Sequence, residues 1–239
     1  MNESRPPRAQ PLPSARRPSP LPGLPAAPTS VWYAAYGSNM HAGRLAHYIA
    51  GGRPAGAAQT CPGCRDRTLP ERTLPVMLPG TLYFALESPT WTGGSAFYDP
   101  TGTGDVPARA YLLTVEQFAD ILAQEMRRKP GTGADLDLTH VLATGRERFG
   151  PGRYETVLCP GGLDDIPVLT FTAPWTLAEA ALNPPSATYL ANLAAGLGEA
   201  HGWTPGQAAA YLATRPGATA RWTPDSVLRA IRPASRPSI

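Results

Sequence analysis

The chain has 239 residues and a formal net charge of +3, which allows one domain with tails and a sizeable core and is too weak a basic excess to argue for nucleic acid. No run of about 18 apolar residues reads as a membrane helix, and the N-terminal arginines are not followed by the apolar stretch of a signal peptide. Cys61, Cys64 and Cys159 are not a disulfide framework, so a soluble, cytoplasmic protein is the expectation.

Residues 1–28 are rich in Pro, Ser, Ala and Arg without apolar periodicity and read as a disordered leader. The rest of the chain is organised around Val31-Trp32-Tyr33-Ala34-Ala35-Tyr36-Gly37-Ser38-Asn39-Met40. Residues 31–35 are apolar or aromatic and suit a buried strand. Gly37 offers backbone angles barred to other residues, and Ser38 and Asn39 are good N-caps for a helix over 41–49 with Leu45, Tyr48 and Ile49 on one face. Backbone N–H groups at such a corner favour an anion; on the residues alone, an ordinary strand–turn–helix corner is equally open.

The Gly-, Pro- and Arg-rich stretch 51–79 reads as a long irregular excursion. Its Cys61-Pro62-Gly63-Cys64 is half a zinc site, a redox pair or simply a turn. Cys159 and His41, His47, His140 or His201 complete no known ligand spacing, so no metal is expected. Strands are predicted over 79–86, after the turn Trp91-Thr92-Gly93-Gly94, and over 108–114; the Gly-Gly pair lets backbone approach a ligand or a neighbouring strand closely. Thr114 and Gln117 form a capping box for a helix over 115–127. Phe118, Ile121 and Leu122 make its apolar stripe, and at about 100° per residue Glu125 falls in the middle of that stripe. A core-facing carboxylate is costly unless paired or protonated. Burial there raises its pKa and makes it a usable proton carrier. The alternative is a Glu at a fraying helix end, paired with Arg128 or turned to solvent.

An insertion-like stretch spans 131–151, with a helix or strand around 138–143. A hairpin is predicted from 154–159 and 168–173. Pro184-Pro185-Ser186 introduces a helix over 187–201, ended by Gly202, with Leu190, Leu193, Ala194 and Leu197 on its apolar face and Tyr189 one position off it. A further helix, 204–214, begins with a Thr-Pro pair, and 215–239 reads as a loosely held tail.

Three short motifs in order carry more. Tyr36-Gly37-Ser38-Asn39 comes after an apolar strand; Trp91-x-Gly93-Gly94 precedes a strand and helix ending in Gln124-Glu125; Pro184-Pro185-Ser186-x-x-Tyr189 opens a helix. Over about 32–212 this resembles the gamma-glutamyl cyclotransferase-like family. One departure is Pro107-Ala108, where many members of that family carry Trp-Gly. The resemblance implies an α+β domain over 29–214, with a mixed, strongly curved or barrel-like sheet and surrounding helices. It implies Glu125 as catalytic acid/base and a substrate site built from Tyr33, Ala34, Ala35, Tyr36, Gly37, Ser38, Asn39, Gly94 and Tyr189. The implied substrate is a small gamma-glutamyl amine or peptide converted to 5-oxoproline, with no metal and no cofactor; neither a P-loop nor a dinucleotide fingerprint is present. A hydrolase or acyltransferase using the same pocket, and a non-catalytic small-molecule binding protein, are the alternatives.

Overall fold

The computed structural model describes residues 14–20, 27–53, 60–131 and 136–232. The stretch 30–35 forms strand β1 (Ser30–Ala35) near the middle of a six-stranded mixed sheet. The other strands are β2 (Thr73–Pro79), β5 (Asp105–Thr114), β6 (Arg146–Arg148), β7 (Thr156–Leu163) and β8 (Ile166–Thr172), in the order β2-β5-β1-β8-β7-β6. β1 runs antiparallel to β5 and parallel to β8. Trp32, Ala34 and Tyr36 pack under one set of helices, α4 (Ala187–His201), α5 (Pro205–Ala213) and α6 (Pro224–Ile231). Val31, Tyr33 and Ala35 pack on the other side against α1 (Ala42–Ala50), α2 (Val115–Glu125) and α3 (Thr139–Thr144). A strand covered on both faces has no polar alternation to show, which is why this one reads as a continuous apolar run.

The sheet is open. β2 and β6 are its edges, and β3 (Thr81–Ala85) pairs with β4 (Ser95–Asp99) in a separate ribbon, so the barrel-like expectation is corrected to a mixed sheet flanked by helices. The chain leaves β2 for β3 through Gly80, at φ +134°, where a Cβ would sit 2.4 Å from the Asp99 carbonyl oxygen. That bend lifts the second strand out of the sheet instead of letting it close the edge. β2 also corrects the reading of 51–79 as wholly irregular. Its Pro75 and Pro79 argue against a central strand but are tolerated at a sheet edge.

Local signals place the helices well. Thr114 and Gln117 form the predicted reciprocal cap of α2, at 3.1 and 3.2 Å. Ser186 Oγ accepts from the Tyr189 N–H at 3.2 Å to start α4, and Gly202 ends it at φ +68°. The β7–β8 hairpin turns on Asp164 and Asp165, both with positive φ, as a tight two-residue connection requires.

Both tails depart from expectation within the described residues. Residues 14–20 lie along the sheet: the Arg16 N–H donates to Pro75 O at 3.0 Å and the Ser19 N–H to Gly162 O at 3.1 Å, with Arg16–Asp164 and Arg17–Asp105 ion pairs. Residues 1–13 and 233–239 lie outside the described residues. The stretch read as a loose C-terminal tail contains α6, capped by Thr223 and Ser226, whose Val227 is 0% exposed in the same core as Leu212. Its amphipathic face is only one turn wide between Pro and Arg, and composition hid it. Val227→Ala is therefore expected to cost about 2 kcal/mol. The check is a lowered urea midpoint at unchanged slope; an unchanged midpoint would mean α6 is not part of the folded core.

Candidate functional site

The antiparallel pairing of β1 with β5 decides where Glu125 goes. Ser30 pairs with Thr114 and Ala35 with Arg109, so β5 ends beside the start of β1. The chain then turns into α2 and packs back along β1. Eleven helical residues rise roughly 16 Å, close to the length of the strand they retrace. The last of them, Glu125, arrives beside the corner at the end of β1. Asn39 Nδ2 donates to Glu125 Oε1 at 2.9 Å and also reaches the Tyr33 hydroxyl at 3.3 Å. The acidic group and the corner, 86 residues apart in sequence, are in direct contact.

The Glu125 carboxyl sits at the base of a cavity of about 770 Å³. Burial pushes it above the usual carboxylate range, opposed by the Arg44 cation and by hydrogen bonds from Asn39 and Tyr48. Burial also holds the Tyr48 phenol well above its ordinary value, so it stays a hydroxyl donor. The corner is braced from behind. The Tyr111 hydroxyl donates toward the carbonyls of Asn39 (2.9 Å) and Met40 (3.1 Å). Arg109 reaches that hydroxyl at 3.4 Å and Glu199 at 3.1 Å, and Glu199 accepts from the Ala42 N–H at 3.0 Å.

The corner differs from its sequence reading in two ways. Gly37 lies at φ −102°, ψ −146°, outside the positive-φ region that favours glycine. Its bare Cα instead faces Tyr189, where a Cβ would lie 3.5 Å from the hydroxyl. Ser38 and Asn39 do not cap α1. They belong to a single 3₁₀ turn, Ser38–Met40, and α1 starts at Ala42 after an N-cap His41 that makes no side-chain cap bond. The Asn39 side chain is spent on Glu125 instead.

The other predicted residues divide clearly. Tyr33, Tyr36, Gly37, Ser38, Asn39, Glu125 and Tyr189 surround a recess of about 40 Å³ at the foot of the larger cavity. The Tyr36 hydroxyl donates to Phe171 O at 2.9 Å. The Tyr189 hydroxyl accepts from the Ala96 N–H at 3.4 Å and bonds the Ser38 N–H; its ring stacks on Trp91 with centroids 5.3 Å apart. Ala34 and Ala35 are buried in the two cores on either side of the sheet, and Ala34 O accepts from Thr170 Oγ1 at 2.8 Å. Gly94 is a backbone splice. Its N–H donates to Pro184 O at 2.8 Å, and a Cβ there would sit 2.0 Å from Asn183 O. Of the two readings of the Gly-Gly pair, approach to neighbouring chain describes Gly94.

Sequence reasoning missed Arg44 and Trp91 as site residues and took Tyr48 only as core. The Arg44 guanidinium lies over the Tyr48 ring (5.4 Å) and the Trp91 ring (5.2 Å). A signal was present: Arg44 and Tyr48 are four residues apart and so share a helix face. The Cys61–Cys64 pair behaves as structure. Cys64 is buried, its thiol is pushed to about 12 by burial, and it sits 3.4 Å from Tyr48 O, the opposite of a reactive thiolate. Among the described residues no group of three His, Cys, Asp or Glu side chains is placed to hold a metal, and no helix is long and apolar enough to cross a membrane.

No family model matches the chain. Histone deacetylase 5 of Arabidopsis thaliana is 33% identical over 206 residues, which is 78% of this chain and 31% of that protein. The chain thus spans about a third of that relative's length. Among solved structures, a gamma-glutamyl cyclotransferase aligns at 16% identity and TM-score 0.37 over 72% of this chain and 80% of its own. An uncharacterized protein from Homo sapiens aligns at 17% identity and TM-score 0.41 over 84% and 99%. What the site can do therefore rests on its own geometry.

One property can be tested without a substrate. Because burial raises the Glu125 pKa in the folded chain, the folded state binds more protons than the unfolded one between the ordinary and the raised value. Stability then falls as pH rises through that window. Glu125→Gln, which is never charged, is expected to melt higher than the wild type at pH 7–8 and to approach it in acid. A variant less stable at pH 8 would mean that the carboxylate is net stabilising.

Proposed function

We propose that this site carries out gamma-glutamyl cyclotransfer: release of 5-oxoproline and a free amine from a gamma-glutamyl amine or peptide. The observation that carries the reading is the contact of Glu125 with Asn39 of the glycine corner at the foot of a cavity. The motif resemblance requires those two features to meet, and nothing in the sequence spacing alone forces them to.

The chemistry suits these parts. The substrate's α-amine is its own nucleophile, so the site need only fold the glutamyl chain and move protons. Glu125, ionised, takes a proton from the α-ammonium. The amine nitrogen then bonds to the γ-carbonyl carbon and closes a five-membered ring. Glu125 returns the proton to the departing nitrogen and the original C–N bond breaks; the ring nitrogen then gives up its second proton through the same carboxylate to the freed amine, leaving a lactam N–H, an ammonium and the regenerated carboxylate; no water is consumed. A carboxyl whose pKa burial raises while Arg44, Asn39 and Tyr48 oppose the rise suits both halves of that transfer. The recess framed by Tyr36, Gly37, Ser38 and Tyr189 would take the innermost group of the glutamyl end, with the rest of the chain in the larger cavity.

A panel of gamma-glutamyl amines and dipeptides, assayed by mass spectrometry, is expected to yield 5-oxoproline. Glu125→Gln should lose about 10²- to 10⁴-fold in turnover. Glutamate in place of 5-oxoproline would point to hydrolysis, and undiminished turnover by the variant would end the assignment. The pH profile offers a second check. The base works when deprotonated, so activity rises with pH through the Glu125 pKa. Asn39→Ala removes a donor that favours the ionised form, so the acid limb of kcat/KM should move to higher pH. A limb that stays put or moves down would contradict the role given to Asn39.

A further inference from the structure

Residues 14–20 join β2, one edge of the sheet, to β7 near the other. On its inner side β2 pairs with β5. On its outer side Arg16 bridges Val76 in parallel, its N–H on Pro75 O at 3.0 Å and its carbonyl on the Met77 N–H at 2.8 Å. Three residues on, Ser19 bridges Gly162 antiparallel, and the two exchange N–H···O bonds at 3.1 and 2.8 Å.

The edge of β2 suits a short contact and refuses a long one. Backbone groups alternate between the two sides of a strand. Since Pro75 and Met77 bond Arg16, residues 73, 75, 77 and 79 face outward. Pro75 and Pro79 have no N–H to give, so a regular strand would meet a broken row of donors. A segment that needs a single bridge loses nothing, and residues 14–20, interrupted by Pro18 and Pro20, are such a segment. Gly161 makes room on the β7 side: it lies at φ +134°, and a Cβ there would sit 2.4 Å from Ser19 O.

Selection then falls to side chains. Arg16 forks onto both oxygens of Asp164 at 2.8 Å, and Arg17 onto both oxygens of Asp105 at 2.6 and 2.5 Å. Such forks match a planar guanidinium better than an ammonium. Asp105 begins β5 and Asp164 stands in the β7–β8 turn, so the two carboxylates are fixed by the sheet. All four side chains are between 39% and 56% exposed, so water and salt screen them. Residues 14–20 are themselves mostly exposed, and a segment with so little burial can open without the domain.

We propose that the outer edge of β2, the Gly161–Gly162 stretch and the carboxylates of Asp105 and Asp164 form a docking site for an extended segment with two consecutive arginines. Residues 14–20 of the same chain fill it, as a clasp that salt releases while the rest of the domain stays folded.

Hydrogen exchange on the full chain reads the clasp at the Met77 and Gly162 amides, which donate to Arg16 O and Ser19 O; the amides of Val76 and Leu78, which face β5, are the controls. In the Arg16→Gln, Arg17→Gln double variant, exchange at Met77 and Gly162 is expected to quicken by about 3- to 30-fold. It should also quicken in the wild type as NaCl is raised from about 0.05 to 0.5 M, with the controls unchanged in both cases. A synthetic peptide of residues 14–20, given at about 5 mM to match the effective concentration of a short tether, should slow both amides again in the double variant. The same peptide with both arginines replaced by glutamine should not. Exchange that ignores salt and the arginines, or that quickens only together with Val76 and Leu78, would overturn the clasp. A peptide that gives no protection, or protects equally without its arginines, would overturn the docking site.

Discussion

The site depends on opposed effects on one carboxyl group taken out of bulk water. Burial raises the Glu125 pKa. Three groups pull the other way: the Arg44 cation, the Asn39 amide at 2.9 Å and the Tyr48 hydroxyl. Each reaches Glu125 from the corner after β1 or from α1, the next helix along the chain. The strength of the acid is thus set by the geometry between one helix end and the neighbouring corner. That geometry is in turn fixed by the pairing of β1 with β5.

The corner cannot drift freely, because it is clamped from beneath. Tyr111 holds the Asn39 and Met40 carbonyls, and Arg109 and Glu199 tie that hydroxyl to α4 and to the start of α1. Arg109 and Tyr111 stand two residues apart on β5 and are both buried. The strand that delivers α2 therefore also supports the turn that α2 must meet. The main chain of Asn39 is held in the way a positioning group needs.

Much of this was legible along the chain, for local reasons. β1 announced itself by its unbroken apolar run, α2 by the Thr114–Gln117 box, α4 by Ser186 and Gly202, and the exposure of Glu125 to the core by its place in the Phe118 stripe. What sequence could not show was settled by distant partners. An Asn after a strand caps helices well in isolation; only the arrival of Glu125 makes Asn39 more useful elsewhere. Gly37 looked like a residue chosen for its torsions, yet its φ is negative and a Cβ there would make only an ordinary contact with Tyr189. β2 was masked by prolines that an edge strand tolerates. The cations that line the cavity, Arg44, Arg127, Arg128, Lys129 and Arg153, were invisible because they come from α1, from the residues after α2 and from the loop before β7, with nothing local to join them.

The Gly93–Gly94 splice has a consequence for how this molecule can vary. Gly93 bridges Pro185, Gly94 binds Pro184 O, Ser186 Oγ donates to Trp91 O at 2.6 Å, and Trp91 lies flat on Tyr189. Two segments about 90 positions apart thus form one rigid panel of the cavity, locked by main-chain contacts that leave no space for a methyl group. Evolution, or a chimera built at the bench, can exchange this panel only as a matched pair. Transplanting residues 87–95 without 182–189 would leave the foreign half with no backbone to seat against.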